Sequence, residues 1–348
     1  MKKMELKRLC QISALLLFFE ILCSCSNQFV KDSAFRRSGD SGNKGDGSRK
    51  VSLVCWNVQT FFDASTSGTE YKDFKNSERW TKEKYVKRLN KLCEVMTSIN
   101  PDIFVMEEIE NEAVVQDIAN TLAAGAWDNK KSWKYACFAK ESGSAIGCAV
   151  FSRYEICSLR THSLDIRNQK EEQPSSRPIM QVTLNTGGRE LDLFVNHWKS
   201  KSGGEEETEI WRDWQELVLA ERAFEAGPDS ALVMCGDFNR SAEDFVLQTS
   251  DSKKTNTLLR GSSGELIAWS PWFRKNGDFA LDMGSYFYNG EWERIDNIMI
   301  YGALELSGFT TVTDSPLADE EGIPSAFKIY TGEGCSDHLP LKCFLSFI

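Results

Sequence analysis

Eight polar residues in this 348-residue chain share a position as well as a chemistry: Asn57, Glu108, His197, Asp237, Asn239, Asp296, Asp337 and His338 each fall at or near the end of an apolar, strand-like segment. The clearest case is Cys235-Gly236-Asp237-Phe238-Asn239, which follows the apolar run Ala231-Leu232-Val233-Met234. A short apolar run stopped by Gly reads as a buried strand. Its side-chain period of two sends Asp237 and Asn239 off the strand end on the same side. A carboxylate and an amide past a strand tip suit a hydrated Mg²⁺ and a phosphate oxygen. Asp-x-Asn more often forms a turn that bonds its own backbone, so the case rests on how many other segments end the same way. Two of the chain's three histidines belong to the set.

The elements that must position these groups alternate in the first third. Val51–Trp56 reads as a strand ending at Asn57, and a helix from about Glu78 to Ile99 carries Tyr85, Leu89, Leu92, Met96 and Ile99 on one stripe. Asn100-Pro101 ends that helix. Ile103–Met106 is a buried strand delivering Glu107 and Glu108, and Asn111 can cap a helix over Val114–Ala124. Strand, helix, strand, helix is α/β in character. The middle section has hairpin-like spacing and an expected antiparallel pairing. It ends in Leu191–Val195, which delivers Asn196-His197. A helix follows that opens on Glu205-Glu206-Glu207, with an expected inward stripe of Ile210, Trp214, Leu217 and Phe224; Arg212, opposite that stripe, is expected in solvent. Residues 248–280 give no clear pattern. Asn289-Gly290 then marks a type I′ hairpin between Tyr286–Tyr288 and a strand running from Glu291 to Ile300.

Taken in order, Trp56-Asn57, Pro101-Asp102-Ile103 to Glu107-Glu108, Gly147 to Ser152-Arg153, Asn196-His197, Gly236-Asp237-Phe238-Asn239, Arg294-Ile295-Asp296 and Ser336-Asp337-His338 resemble the motifs of the endonuclease/exonuclease/phosphatase superfamily with the DNase I-like fold. The resemblance runs from about Val51 to the C-terminus. It implies a four-layer α/β/β/α sandwich, with two mixed, mostly antiparallel sheets face to face, helices outside and the active site at one edge. It also implies that Glu108 binds a divalent metal, Mg²⁺ first with Mn²⁺ or Ca²⁺ as alternatives, with Asn57 and Asp337 nearby. His338 would be the base that takes a proton from water, oriented by Asp296. Asp237 and Asn239 would position the nucleophile and the phosphoryl group or hold a second metal, and His197 would contact the scissile phosphate or help the leaving oxygen. A neutral imidazole near its ordinary pKa suits the base. Arg177 and Lys199 are candidates for substrate phosphate; a surface Arg before Pro and a solvated loop are the plainer alternatives. The family usually has Gln-Glu where this chain has Glu107-Glu108, and Tyr where it has Asn297. Glu107 would add a charge beside the metal.

The N-terminus reads as a targeting segment. Lys2, Lys3, Lys7 and Arg8 precede the apolar run Ile12–Leu22, and Leu22-Cys23-Ser24-Cys25 resembles a bacterial lipobox, with Cys25 as the lipidated residue. Residues 1–24 would then be a lipoprotein signal peptide, 25–49 a Gly/Ser-rich tether and 50–348 the catalytic domain. This implies an exported, envelope-anchored or periplasmic protein. The eight cysteines past Cys25 include no CxxC pair that would suggest zinc, and most are expected as free thiols.

A net charge of −10 argues against broad electrostatic coating of nucleic acid. A metal-centred site escapes that objection, because the bound cation supplies the positive charge locally. The sequence from Asn196 to Gly204 looks most like exported bacterial nucleases, so nucleic acid is the expected substrate and a monomer the expected form. A phospholipid phosphodiesterase of the sphingomyelinase kind and a catalytically idle surface lipoprotein are the alternatives, since fold does not choose a substrate.

Overall fold

Side-chain alternation along the strands decides how this chain layers. In the computed structural model, residues 29–30, 50–76, 78–125, 132–164, 173–174, 176–249 and 255–348 are described; the proposed signal segment and Cys25 lie outside them. The first half runs β1 (Phe29–Val30), β2 (Val51–Phe61), α1 (Lys82–Ile99), β3 (Ile103–Ile109), α2 (Glu112–Ala124), β4 (Tyr135–Ala139), β5 (Gly147–Ser152), β6 (Glu155–His162), β7 (Ile179–Asn185) and β8 (Glu190–His197). Then come α3 (Glu205–Ala226), β9 (Ala231–Asp237), β10 (Val246–Thr249), β11 (Thr255–Arg260), β12 (Glu265–Ala268), β13 (Tyr286–Tyr288), β14 (Glu291–Glu293), β15 (Asp296–Gly302), β16 (Leu304–Thr311) and β17 (Leu341–Phe347).

Two mixed sheets carry the fold. One has the order β1-β4-β5-β3-β2-β17-β16 and the other β15-β9-β8-β7-β6. Only β2–β3 and β8–β9 pair in parallel within them. Leu53, Cys55, Ile103 and Val105 from the first sheet meet Leu193, Val195, Val233 and Cys235 from the second in one core between the sheets. The intervening residues Val54, Trp56, Phe104 and Met106 face α1 and α2 on the outside. Phe194, Leu232 and Met234 face α3 on the other flank. The result is the expected α/β/β/α sandwich.

Three local readings change. The strand expected from Glu291 to Ile300 is two strands, because the carbonyls of Arg294 and Ile295 turn away to accept Ala242 N–H at 3.0 Å and Phe238 N–H at 2.9 Å. Residues 248–280 include β11 and β12 of a three-stranded sheet whose Leu259, Leu266 and Ala268 pack on α3. The buried face of α3 is Thr208, Trp211, Arg212, Gln215, Glu216, Leu219, Ala220 and Ala223, whereas Trp214 is exposed. Arg212 is fully buried and donates to the carbonyls of Lys199 (3.1 Å) and Glu205 (2.8 Å). Apolar periodicity misplaces this helix because polar side chains on its inner face satisfy loop backbone: Gln215 accepts Lys199 N–H at 2.8 Å, and Glu216 accepts Arg260 N–H at 2.8 Å.

Candidate active site

The groups at the strand ends continue the parity of the central core. Asn57 and Glu107 follow Leu53, Cys55, Ile103 and Val105; His197 follows Leu193 and Val195; Asp237 follows Val233 and Cys235; Asp296 precedes Ile298 and Ile300. Period-two alternation therefore sends all five side chains into the same space between the sheets, past the point where apolar packing stops. Register then aligns them. His197 pairs with Asp237 across β8–β9, and Asp237 pairs with Asp296 across β9–β15. Gly236 makes this close approach possible, since a Cβ there would lie 1.9 Å from the Asn196 carbonyl oxygen and its φ is +130°.

Glu108 has the opposite parity and reaches the site by a break in the strand. Its φ is +66°, where the pairing of β3 with β5 shifts register between Glu107 and Ile109. The turned carboxylate accepts Asn57 Nδ2 at 3.2 Å and the Thr60 N–H. Asn57 Nδ2 also donates to Asp237 Oδ2 at 3.0 Å, so one amide joins the two carboxylates across the two sheets. His197 Nε2 lies 3.6 Å from Glu108 and 3.7 Å from Asp237. These contacts are not an ion pair: burial first, then the charges of Arg177 and His338, hold the His197 imidazole well below its ordinary pKa.

His338 comes from the loop before β17. Its Nδ1 is 2.8 Å from Asp296 Oδ2. Ser336 Oγ donates to the Asn57 carbonyl at 2.6 Å and accepts His338 N–H at 3.1 Å, and Trp56 Nε1 donates to the His338 carbonyl at 2.9 Å. The loop is thus stapled to β2. Burial pushes the His338 imidazole down, but the adjacent Asp296, reinforced by Asp337 and Asp237, carries it well above its ordinary pKa. The expectation of an imidazole near its ordinary value is corrected: three carboxylates surround it. Burial and Asp296 push Asp237 up to about 7.

The remaining sequence candidates take distinct places. Asn239, at φ +48°, donates its backbone N–H to Asp237 Oδ1 at 2.8 Å and its Nδ2 to the Trp198 carbonyl at 3.2 Å. Asp-x-Asn is here both a self-bonded turn and a site element. Asp337 is held by its own N–H, which donates to Gln59 Oε1 at 3.1 Å. Arg177 Nη1 donates to the Trp198 carbonyl at 2.9 Å, at the edge of the site. Lys199 turns its ammonium into its own loop, onto the carbonyls of Ser200 (2.9 Å) and Ser202 (3.0 Å).

Among the described residues, one grouping of three has ligand atoms within 4.8 Å of one another: Asp237, Asp296 and His338. Two buried carboxylates side by side, with Glu108 joined to them through Asn57, form a hard oxygen donor set that fits Mg²⁺ or a similar divalent cation. The raised Asp237 carboxyl is what such a set shows without a cation.

A family model described as "Endonuclease/Exonuclease/phosphatase family" matches residues 52–345. The chain belongs to the endonuclease/exonuclease/phosphatase family. Its fold is similar to that of truncated Caenorhabditis elegans TDP2, at 15% identity and a TM-score of 0.53, covering 86% of this chain and 98% of that one. It is also similar to the human Nocturnin catalytic domain (15% identity, TM-score 0.53, 92% and 98% covered) and to a mannosyl-6-phosphatase of Bacteroides thetaiotaomicron (16%, 0.50, 85% and 100%). No curated protein matches the sequence.

Glu107 stands where the family resemblance leads one to expect Gln. It is fully buried between the sheets and accepts Cys55 Sγ–H at 3.2 Å. Burial, then the charge of Asp296, holds its carboxyl well above the ordinary carboxylate range. The expected extra charge is therefore opposed by its surroundings, and a protonated Glu keeps the shape of Gln. Asn297 is buried, accepting Ser270 Oγ–H at 2.9 Å.

Sequence reasoning missed the support of the Val58–Thr60 bend beside Glu108 and Asp337. Gln59 and Thr60 both lie at left-handed φ (54° and 46°). Gln59 Oε1 holds Asp337 N–H, and Thr60 N–H holds Glu108. Behind them the buried Arg88 of α1 donates to the carbonyls of Val58 (2.9 Å), Gln59 and Thr60 (2.9 Å), with its guanidinium 3.6 Å over the Phe327 ring. A basic residue on the apolar face of α1 was the one available signal.

Proposed function

We propose that this chain is a metal-dependent phosphodiester hydrolase acting on nucleic acid. The observation that carries the reading is the His338–Asp296 pair, 2.8 Å apart, standing beside Asp237 on adjoining strands. This is a base with its orienting carboxylate, facing an oxygen-rich cation site. Glu108, Asp237 and the nearby Asn57 and Asp337 would hold the cation. When bound, it would screen the anionic phosphodiester and stabilise the charge that develops on it.

The chain's own groups then divide the work. His338 in its neutral form takes the proton from the attacking water at the nitrogen not bonded to Asp296. Asp296 fixes the ring orientation and stabilises the imidazolium that results. Asn239 and Asp237 orient the water and the phosphoryl oxygens. His197, neutral, contacts the phosphate, and Arg177 provides the fixed charge at the rim. Lys199 would reach phosphate only by leaving its loop carbonyls. Export and anchoring through a lipid on Cys25 belong to the same proposal, as does action as a monomer in the cell envelope; loss of lipid label in Cys25→Ser tests the anchor.

One assay separates the substrates. The detergent-solubilised chain is incubated with plasmid DNA, RNA, sphingomyelin and a hexose 6-phosphate, with Mg²⁺ and with chelator. Metal-dependent cleavage of DNA or RNA is expected. Release of phosphocholine or inorganic phosphate instead would replace the nuclease reading, and inactivity on all four would leave a binding protein.

A further inference from the structure

The wall of the site behind His338 is aromatic. The Tyr286 ring lies 4.7 Å from the His338 ring, centroid to centroid. Tyr288 sits two residues further along the same short strand, so the two side chains share a face. Their rings are 6.1 Å apart and within 14° of parallel. Tyr288 is 55% exposed. A row of three rings therefore starts at the catalytic imidazole and ends in solvent.

The hairpin that presents this row is braced. A two-stranded hairpin alone is marginal in water, but Tyr286 bridges to His338, Leu339 N–H donates to the Ser285 carbonyl at 2.7 Å, and Lys201 pairs with Glu293 at 3.0 Å. Phe287 and Trp292 pack edge to face, 5.0 Å between centroids. Burial pushes the Tyr286 phenol up to about 12, so that ring is uncharged at neutral pH. What the hairpin offers beside the reacting phosphate is a braced aromatic surface.

The charge balance gives that surface a purpose. With a net charge of −10, the protein has little general attraction for a polyanion. Base–aromatic stacking supplies affinity that does not depend on charge. A base can lie on such a surface only when one of its faces is free, and in a closed duplex both faces are covered by neighbours.

We propose that Tyr286 and Tyr288 form a stacking shelf for the nucleobase next to the scissile phosphodiester, which makes the chain selective for single-stranded or frayed nucleic acid over closed duplex. This rests on the nuclease reading above. The test compares single-stranded oligonucleotides carrying a base or an abasic site at each position flanking the cut, and the matching blunt duplex, with wild type, Tyr288→Ala and Tyr288→Phe. Wild type should prefer single strand over duplex and base over abasic site at one flanking position. Tyr288→Ala should collapse that base preference by about tenfold in kcat/KM, within the span of base–aromatic stacking, while Tyr288→Phe, which keeps the ring, should retain it. Equal melting temperatures exclude misfolding. If wild type cleaves oligonucleotides and Tyr288→Ala keeps the full base preference, the shelf is refuted and the nuclease reading stands. If wild type cleaves no oligonucleotide but releases phosphate from a sugar phosphate or phosphocholine from a lipid, the nuclease reading fails and the shelf fails with it.

Discussion

Asp237 and Asp296 face each other as register partners on adjacent antiparallel strands, and both are buried. Two like charges so placed resist joint ionisation; His338 meets Asp296 at 2.8 Å, while Asp237 is answered by the neutral donors Asn57 Nδ2 and Asn239 N–H. A divalent cation would remove that repulsion.

The consequence for pH follows from the sign of the shifts. Asp237 rises from 3.8 to about 7 on folding, so between those values the folded chain holds a proton that the unfolded chain has released. His338, also raised in the folded state, acts in the same direction. With chelator present, the contribution of both groups to stability should be full at the acid end and fade as pH rises through their folded pKa values. Urea denaturation at pH 5 to 8 checks this: the chelated protein should lose stability relative to the Mg²⁺-loaded one as pH rises, and apparent metal affinity should increase. A gap that does not change with pH counts against a cation on these carboxylates.

His338→Ala should lower kcat by about 10²–10⁴-fold, the usual worth of a positioned acid or base, with the fold intact. Asp296→Asn is more diagnostic. Since Asp296 raises the His338 pKa, its loss should move the acid limb of the rate profile to lower pH as well as reduce the rate. An unmoved limb would mean that another group is the titrating base.

Arg88→Met removes a guanidinium that satisfies three carbonyls of the Val58–Thr60 bend. Each buried group left unpaired costs about 1–3 kcal/mol, so a loss of at least about 2 kcal/mol is expected in denaturant titration. Metal affinity should fall too, because the bend carries the Thr60 N–H that holds Glu108 and the Gln59 side chain that holds Asp337. Unchanged metal affinity in the folded variant would separate Arg88 from the site.

Glu107→Gln and Glu108→Gln should diverge although the residues are neighbours. Glu107 points between the sheets and its charged form is disfavoured, so the amide should keep metal affinity and rate within about threefold. Glu108→Gln should weaken the metal by an order of magnitude or more. Isothermal titration with Mg²⁺ or Mn²⁺ reads both, and equal losses would show that Glu107 serves as a ligand.

Much of the site was legible because strands write their direction into the sequence. An apolar run ending in Asp, Asn or His marks a strand tip, and period two fixes which side each group leaves. Asn57, His197 and Asp237 could be nominated that way, whereas Asp296 opens β15 inside what reads as one continuous strand. Asn111 as a helix cap was equally local, its Oδ1 accepting Val114 N–H at 2.9 Å. What depended on distant partners was not legible. The polar buried face of α3 reads as a solvent face until the loop it satisfies, at Lys199, is in place.

The sequence alone determined the α/β character of the first third and the polar groups at strand ends, because both follow from spacing within single segments. The layered sandwich and the phosphoryl roles came from the family resemblance. Only the tertiary structure decided that Glu108 turns back through a left-handed residue, that Arg88 underpins the bend beside it, that His338 is surrounded by three carboxylates, and that Tyr286 and Tyr288 extend from its ring. These are properties of segments brought together across as many as 282 positions, as between Trp56 and His338. A burial, a field or a stacking surface exists only once the packing that creates it has formed.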